Sequence, residues 1–184
     1  MTDPMRPGPT SRRQRGLTLI ECCTAMAVAA FGLGAVVPDL GPARQRQHLQ
    51  GASTQLETDL HYARSLAVAR NAPVRLSFSG GPAMACYVIH TGAADACVCD
   101  AQGQPQCSGG ALALRSLPFA GDGAVALRSN VRSMLFDPRN GTVTPTGTVQ
   151  LQARDGRSTR LAVNILGRVR TCSPGAAVAG YAAC

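Results

Sequence analysis

The chain has no lysine and no tryptophan, and only seven of its 184 residues are aromatic, three Tyr and four Phe. With so few rings, a core has to be built mainly from Val, Leu and Ala. Without lysine, all 18 basic side chains are arginine, and guanidinium stays charged and grips phosphate through parallel donors. Histidine is also scarce. His48 and His61 fall on a predicted helix and His90 ends a predicted strand, so all three read as surface or interfacial residues. No Ser–His–Asp or Cys–His spacing marks a nucleophile, and no Gly-rich phosphate loop follows a strand. The sequence therefore does not read as an enzyme, and no cofactor or metal is expected. There is no internal repeat, which excludes a repeat array.

What the chain does have is one long apolar run. Leu17 to Val37 is 21 residues with a single charge, Glu21, and Arg6, Arg12, Arg13 and Arg15 precede it. A carboxylate inside a membrane-length segment is costly and marks a functional site. Gly16-Leu17-Thr18-Leu19-Ile20-Glu21 resembles the prepilin leader of type IV pilins and pseudopilins. The resemblance implies that a prepilin peptidase cuts after Gly16 and that the new N-terminal residue, Leu17, is methylated, although the family's usual first residue is Phe. It also implies that Glu21 pairs with the N-terminal amine of a subunit during filament assembly. Two plainer readings compete. A secretory signal peptide could be cut among Ala25, Ala27, Ala29 and Ala30, but would not normally carry Glu21 in its apolar centre. A simple anchor also fits, since about 20 apolar residues span a bilayer. In the pilin and anchor readings the basic N-terminus stays cytoplasmic. The chain is then a single-pass inner-membrane protein with a periplasmic C-terminal domain, destined for a pilus or pseudopilus.

Removing 16 leader and 21 membrane residues leaves 147, enough for one small domain. Its charge is uneven. From Arg44 to Gly110 five arginines face four acids; from Ala111 to Cys184 nine face three, a net +6. Such asymmetry points to a polyanionic partner. Of eight cysteines, Cys22 and Cys23 lie in the apolar run. Cys86, Cys97, Cys99, Cys107, Cys172 and Cys184 remain, an even number in an exported region, which reads as disulfides. Six cysteines allow 15 pairings. Cys172 with Cys184 would close a C-terminal loop and leave the other four to staple residues 86–107. A four-cysteine zinc site is the alternative there, although the C-x-C at 97–99 fits zinc spacing poorly.

Pro38, Gly41 and Pro42 predict a kink or break at the membrane surface. From Ala43, the residues Leu49, Ser53, Leu56, Leu60, Ala63 and Ala67 recur at three- and four-residue spacing, an amphipathic helix that Pro73 ends. Arg46, Gln50, Glu57 and Arg64 occupy its other faces. After Pro73 the period becomes two. Strands are expected at Val74–Phe78, Cys86–Ile89, Leu112–Leu117, Val125–Arg128, Ser133–Phe136, Thr148–Ala153, Arg160–Ile165 and Arg168–Cys172. Ala94 to Gly110 reads as a loop. Asn140-Gly141 and Asp155-Gly156 are turns, the second joining a hairpin. The expected fold is α+β: one long N-terminal helix, part membrane and part amphipathic, packed on an antiparallel β-sheet domain. Its parts are a leader at 1–16, a membrane and filament-core helix at 17–37, an amphipathic helix at 38–72 and a β-rich domain at 73–184.

Phe136-Asp137-Pro138-Arg139-Asn140-Gly141, Gly147-Thr148-Val149 and Gly167-Arg168-Val169-Arg170-Thr171-Cys172 resemble the GspH/FimT branch of minor pilins and pseudopilins. The likeness covers most of Gly16 to Cys172. It implies a type IV pilin fold, other major and minor pilins as partners and, on the FimT side, sequence-independent binding of double-stranded DNA during natural transformation. Gly167, Arg168 and Arg170 carry over as the DNA-contacting motif. In an extended segment Arg168 and Arg170 point the same way with Val169 opposed, and Gly167 permits a backbone geometry or close approach that other residues forbid. Arg154, Arg157 and Arg160 could add charge. The alternative is a structural pseudopilin for a type IV pilus or type II secretion filament, without nucleic acid.

Overall fold

The computed structural model describes residues 18–36, 40–81 and 84–184. The chain divides into two compact units, residues 1–40 and 41–184. In the first, helix α1 spans Leu19–Val36 with Glu21 in its first turn. Its 18 residues rise about 27 Å at roughly 1.5 Å each, short of the roughly 30 Å hydrocarbon core. Among the described residues no helix is long and apolar enough to cross a membrane. The expected span over 17–37 exceeds α1 at both ends, and residues 17 and 37 lie outside the described residues. So do Gly16, which with Leu17 forms the expected cleavage site, and Pro38.

The second unit opens on helix α2, Leu40–Arg70. Gly41 and Pro42 do not break it. They sit in its first turn, where a proline's missing N–H has no intrahelical partner to lose. The predicted stripe is the packed face: Leu49, Ser53, Leu56, Leu60, Ala63 and Ala67 are all buried. Asn71, at φ 47°, ends the helix in a left-handed cap, and Pro73 keeps it ended. Glu57 and Arg64, expected on solvent-facing sides, instead reach the β domain. Glu57 accepts a hydrogen bond from the Thr171 hydroxyl at 2.9 Å, and Arg64 donates one to Gly141.

Two five-stranded sheets follow. The first has order β5-β2-β1-β7-β8, built from β1 (Val74–Gly80), β2 (Met84–His90), β5 (Ala113–Ala120), β7 (Ser133–Phe136) and β8 (Val143–Thr144). The second has order β12-β11-β10-β9-β6, built from β6 (Val125–Ser129), β9 (Gly147–Ala153), β10 (Ser158–Val163), β11 (Val169–Ser173) and β12 (Ala182–Ala183). All pairings are antiparallel except β11 with β12, which is parallel. One core joins α2 to both sheets and draws on residues 49 to 178, among them Leu56, Tyr87, Phe136, Leu151 and Leu161. The 41–184 unit thus carries a core of its own. That core is mainly aliphatic, with Tyr87, Phe119 and Phe136 the buried rings.

The expected loop at 94–110 contains a small hairpin of β3 (Cys97–Cys99) and β4 (Pro105–Cys107). Three disulfides form: Cys86–Cys99, Cys97–Cys107 and Cys172–Cys184. Cys97 and Cys107 are direct cross-strand partners, so one bond staples the hairpin and the other fastens it to β2. The four central cysteines are consumed by these bonds, which removes the zinc alternative. Cys22 and Cys23 are free.

Candidate nucleic-acid interface

The second sheet has one buried and one open face, and strict alternation sorts its side chains between them. On β10, Thr159, Leu161 and Val163 are buried while Arg160 and Ala162 are exposed. On β9, Val149, Leu151 and Ala153 are buried while Thr148, Gln150 and Gln152 face out. On β6, Val125 and Leu127 turn in and Ala126 and Arg128 turn out. Arg170 pairs with Ala162 and so shares the open face, and Arg168 lies two residues before it. Val169 packs against the core on the opposite side.

Register then lines up the arginines. Arg160 opposes Gln150, and Gln150 opposes Arg128 on the next strand. Two interstrand steps of about 4.8 Å put Arg128 and Arg160 roughly 10 Å apart. Arg168 and Arg170, two residues apart, are separated by about 6.6 Å along the strand. No Asp or Glu occurs on β6, β9, β10 or β11. Among the described residues the ion pairs are Arg115–Asp59 and Arg157–Asp155, and neither involves this face. Two arginine pairs, Arg128 with Arg160 and Arg168 with Arg170, therefore share this open face without a carboxylate on its strands. Arg128 was not foreseen. Its strand's alternation put it on an open face, but only the β6–β9 register puts it in line with Arg160.

The other predicted arginines sit elsewhere. Arg154 and Arg157 lie on the β9–β10 turn, and Arg168 lies beyond the other end of β10. That strand's six residues separate them by about 20 Å. Arg154 Nε donates to the Gly123 carbonyl at 3.0 Å. Arg157 is held by Asp155 and by the Pro42 carbonyl. The Arg157 guanidinium draws the Asp155 carboxyl below its ordinary range, and Asp155 in turn raises Arg157. Of the three, Arg160 alone shares the face of Arg168 and Arg170.

Gly167 does not face outward with its neighbouring arginines. It is buried, at φ +71°, and a Cβ there would meet the Gly141 carbonyl oxygen at 2.9 Å and the Arg64 side chain at 3.0 Å. Gly141, at φ +63°, would place its Cβ 2.8 Å from Arg64 Nε. Arg64 Nε donates to the Gly141 carbonyl at 3.0 Å. Two of the three glycines in the sequence motifs, Gly141 and Gly167, thus meet around one α2 arginine. The Phe136–Gly141 turn is closed by Asp137, whose Oδ1 accepts from the Arg139 and Asn140 amides. The β10–β11 turn is closed by Asn164, whose Oδ1 accepts from the Arg168 amide at 2.9 Å. Together these bonds fix the backbone from which Arg168 projects.

Two buried polar groups escaped the sequence reading. Asp59 is buried and accepts from Tyr87 Oη at 2.6 Å, from Gln55 at 3.1 Å and from Arg115. Burial, reinforced by that bond, raises the Tyr87 phenol well above its ordinary value. His90 is not a surface residue but fully buried. Its Nε2 meets Ser77 Oγ at 2.7 Å and its Nδ1 meets the Thr91 carbonyl at 2.8 Å. Burial lowers its pKa and nearby Arg75 lowers it further, against the raising effect of the Thr91 bond. Among the described residues, no group of three or more metal-ligating side chains converges. Glu21 lies in the first turn of α1 with its side chain exposed.

The family described as Type II transport protein GspH matches residues 52–167. No curated protein matches the chain. Among solved structures, the chain is similar to the type IV minor pilin FimU of Pseudomonas aeruginosa in two crystal forms. In the first, identity is 21% and the TM-score 0.51, covering 70% of this chain and 94% of that one. In the second, identity is 22% and the TM-score 0.48, covering 68% and 97%. The first likeness shows a shared type IV pilin fold.

Proposed function

The chain belongs to the GspH family, and from that premise we propose that it is a minor pilin whose periplasmic domain binds double-stranded DNA without sequence preference during DNA uptake. The observation that carries this reading is the open face of the second sheet. Arg128, Arg160, Arg168 and Arg170 share it, and none of β6, β9, β10 and β11 carries a carboxylate. Arg168 and Arg170, about 6.6 Å apart along the strand, lie within a Debye length of about 8 Å and repel one another. A phosphate backbone relieves that repulsion, and its contacts position without reading bases.

In the same proposal, prepilin peptidase cuts after Gly16 and Leu17 becomes the methylated N-terminus. Residues 17–37 anchor the protein in the inner membrane, and Glu21 pairs with a terminal amine as the subunit joins other pilins in the filament. N-terminal sequencing of the mature protein tests the processing step. The family's description as a type II transport protein favours a second reading, a structural pseudopilin that binds no DNA. Titrating the 41–184 fragment with duplex DNA across salt concentrations separates the two.

A further inference from the structure

The four arginines are not equivalent. Arg168 and Arg170 border a depression of about 320 Å³ that Arg128 and Arg160 do not line. Asn130, Asn164, Thr146 and Thr148 line it with them. The asparagines come from the loop after β6 and the turn after β10, and the threonines flank Gly147, where β9 begins. Three separate stretches of chain therefore converge on one hollow, whose lining also includes Ala162 and Val163.

The orientation of the two asparagines decides what the hollow offers. Asn130 Oδ1 accepts from the Thr148 amide at 2.7 Å, and Asn164 Oδ1 accepts from the Arg168 amide at 2.9 Å. A backbone N–H can be met only by the carboxamide oxygen. Both acceptors are therefore occupied, and each side chain has its NH₂ left to offer. Neither threonine hydroxyl has a side-chain hydrogen bond among the described residues. Two guanidiniums, two NH₂ groups and two rotatable hydroxyls line the site, and no carboxylate does. Such a set suits an anion with several acceptor oxygens and repels a cation.

The geometry points to this depression as a discrete seat for one phosphodiester group of the DNA backbone, with Asn130 and Asn164 as donors beside Arg168 and Arg170. The inference rests on the DNA-binding reading and narrows it. One backbone phosphate is held at a defined place, and Arg128 and Arg160 attract the rest of the duplex through charge.

The test is a pair of charge-matched double variants in the 41–184 fragment. Asn130→Asp/Asn164→Asp keeps the oxygens that accept from Thr148 and Arg168 but replaces both NH₂ groups by anionic oxygen. Gln150→Glu/Gln152→Glu adds the same charge to the same sheet face outside the depression. Side-chain amide NMR of the unmodified fragment should show Asn130 and Asn164 resonances shifting with inorganic phosphate and with a short duplex. The Asn130→Asp/Asn164→Asp variant should bind duplex at least about tenfold more weakly than Gln150→Glu/Gln152→Glu, the loss of one or two charge-assisted hydrogen bonds. Equal weakening by the two variants, with no phosphate shifts, would overturn the seat and leave the DNA reading standing. Asparagine shifts with phosphate but no duplex binding would contradict the DNA reading while retaining an anion site. Shifts with phosphatidylglycerol vesicles but not with duplex would assign that site to lipid, and so would also overturn the inference as stated.

Discussion

Arg64 Nε donates a hydrogen bond to the Gly141 carbonyl at 3.0 Å, and the same side chain lies where a Cβ on Gly167 would have to go. Positive φ at both turns already favours glycine, and Arg64, with the Gly141 carbonyl oxygen at Gly167, leaves a Cβ no room at either. Arg64 also joins helix to sheet directly beneath the turn that presents Arg168. A mutation at Gly167 is then first a structural lesion and only second a change beside the open arginine face.

Gly167→Ala should destabilise the 41–184 fragment by about 2–4 kcal/mol, because left-handed strain adds to contact with a backbone oxygen. Gly156→Ala is the comparison. Gly156 has φ +86° but no heavy atom within 4 Å of its Cβ position, so only strain of about 1–2 kcal/mol is expected. Urea melts of both variants check the difference. Equal losses would mean that crowding by the Gly141 carbonyl oxygen and Arg64 contributes nothing.

Asp59→Ala should cost about 3 kcal/mol, since it leaves the buried Tyr87 hydroxyl and the Arg115 guanidinium without their acceptor. Tyr87→Phe removes one hydrogen bond and should cost about 1 kcal/mol. Denaturant midpoints of the two variants test this order. A Tyr87→Phe loss as large as that of Asp59→Ala would place the importance of the cluster on the phenol.

His90 should make stability depend on pH. Its folded pKa is lowered, chiefly by burial, so the unfolded chain binds the proton more readily. The contribution is complete above the unfolded value of about 6.5 and is lost as pH falls through the folded value. Stability should therefore decline as pH drops below about 6.5, before the carboxylates titrate. His90→Gln should flatten that decline. A pH profile unchanged by the substitution would assign the effect to another group.

Much of this molecule is legible in its sequence because it depends on local periodicity. The stripe from Leu49 to Ala67 is the buried face of α2, and Asp155-Gly156 joins β9 to β10. What escaped depends on contacts between distant segments. Arg128 aligns with Arg160 only through strand register, and disulfide pairing follows the folding of β3 and β4 beside β2. Arg64 looks like a solvated helix residue until Gly141 and Gly167 meet it. His90 ends a predicted strand as a polar residue normally does at a surface, but the Ser77 hydroxyl and the Thr91 carbonyl satisfy both ring nitrogens and make its burial tolerable. Pro42 looks like a helix breaker until the first turn of α2 is placed at Leu40.

If Arg168 and Arg170 touch DNA phosphates, the salt dependence of duplex binding must show it. The affinity of the 41–184 fragment should lie at about 10⁻⁴–10⁻⁶ M in physiological salt and fall linearly on a log–log plot. Replacing both arginines by Gln should reduce that slope by about 2, with similar weakening on every sequence and no loss of fold. Arg44→Gln/Arg46→Gln, at the start of α2, should leave the slope nearly unchanged. A folded Arg168→Gln/Arg170→Gln variant with unaltered affinity and slope would contradict the account and leave the structural pseudopilin as the function of this chain.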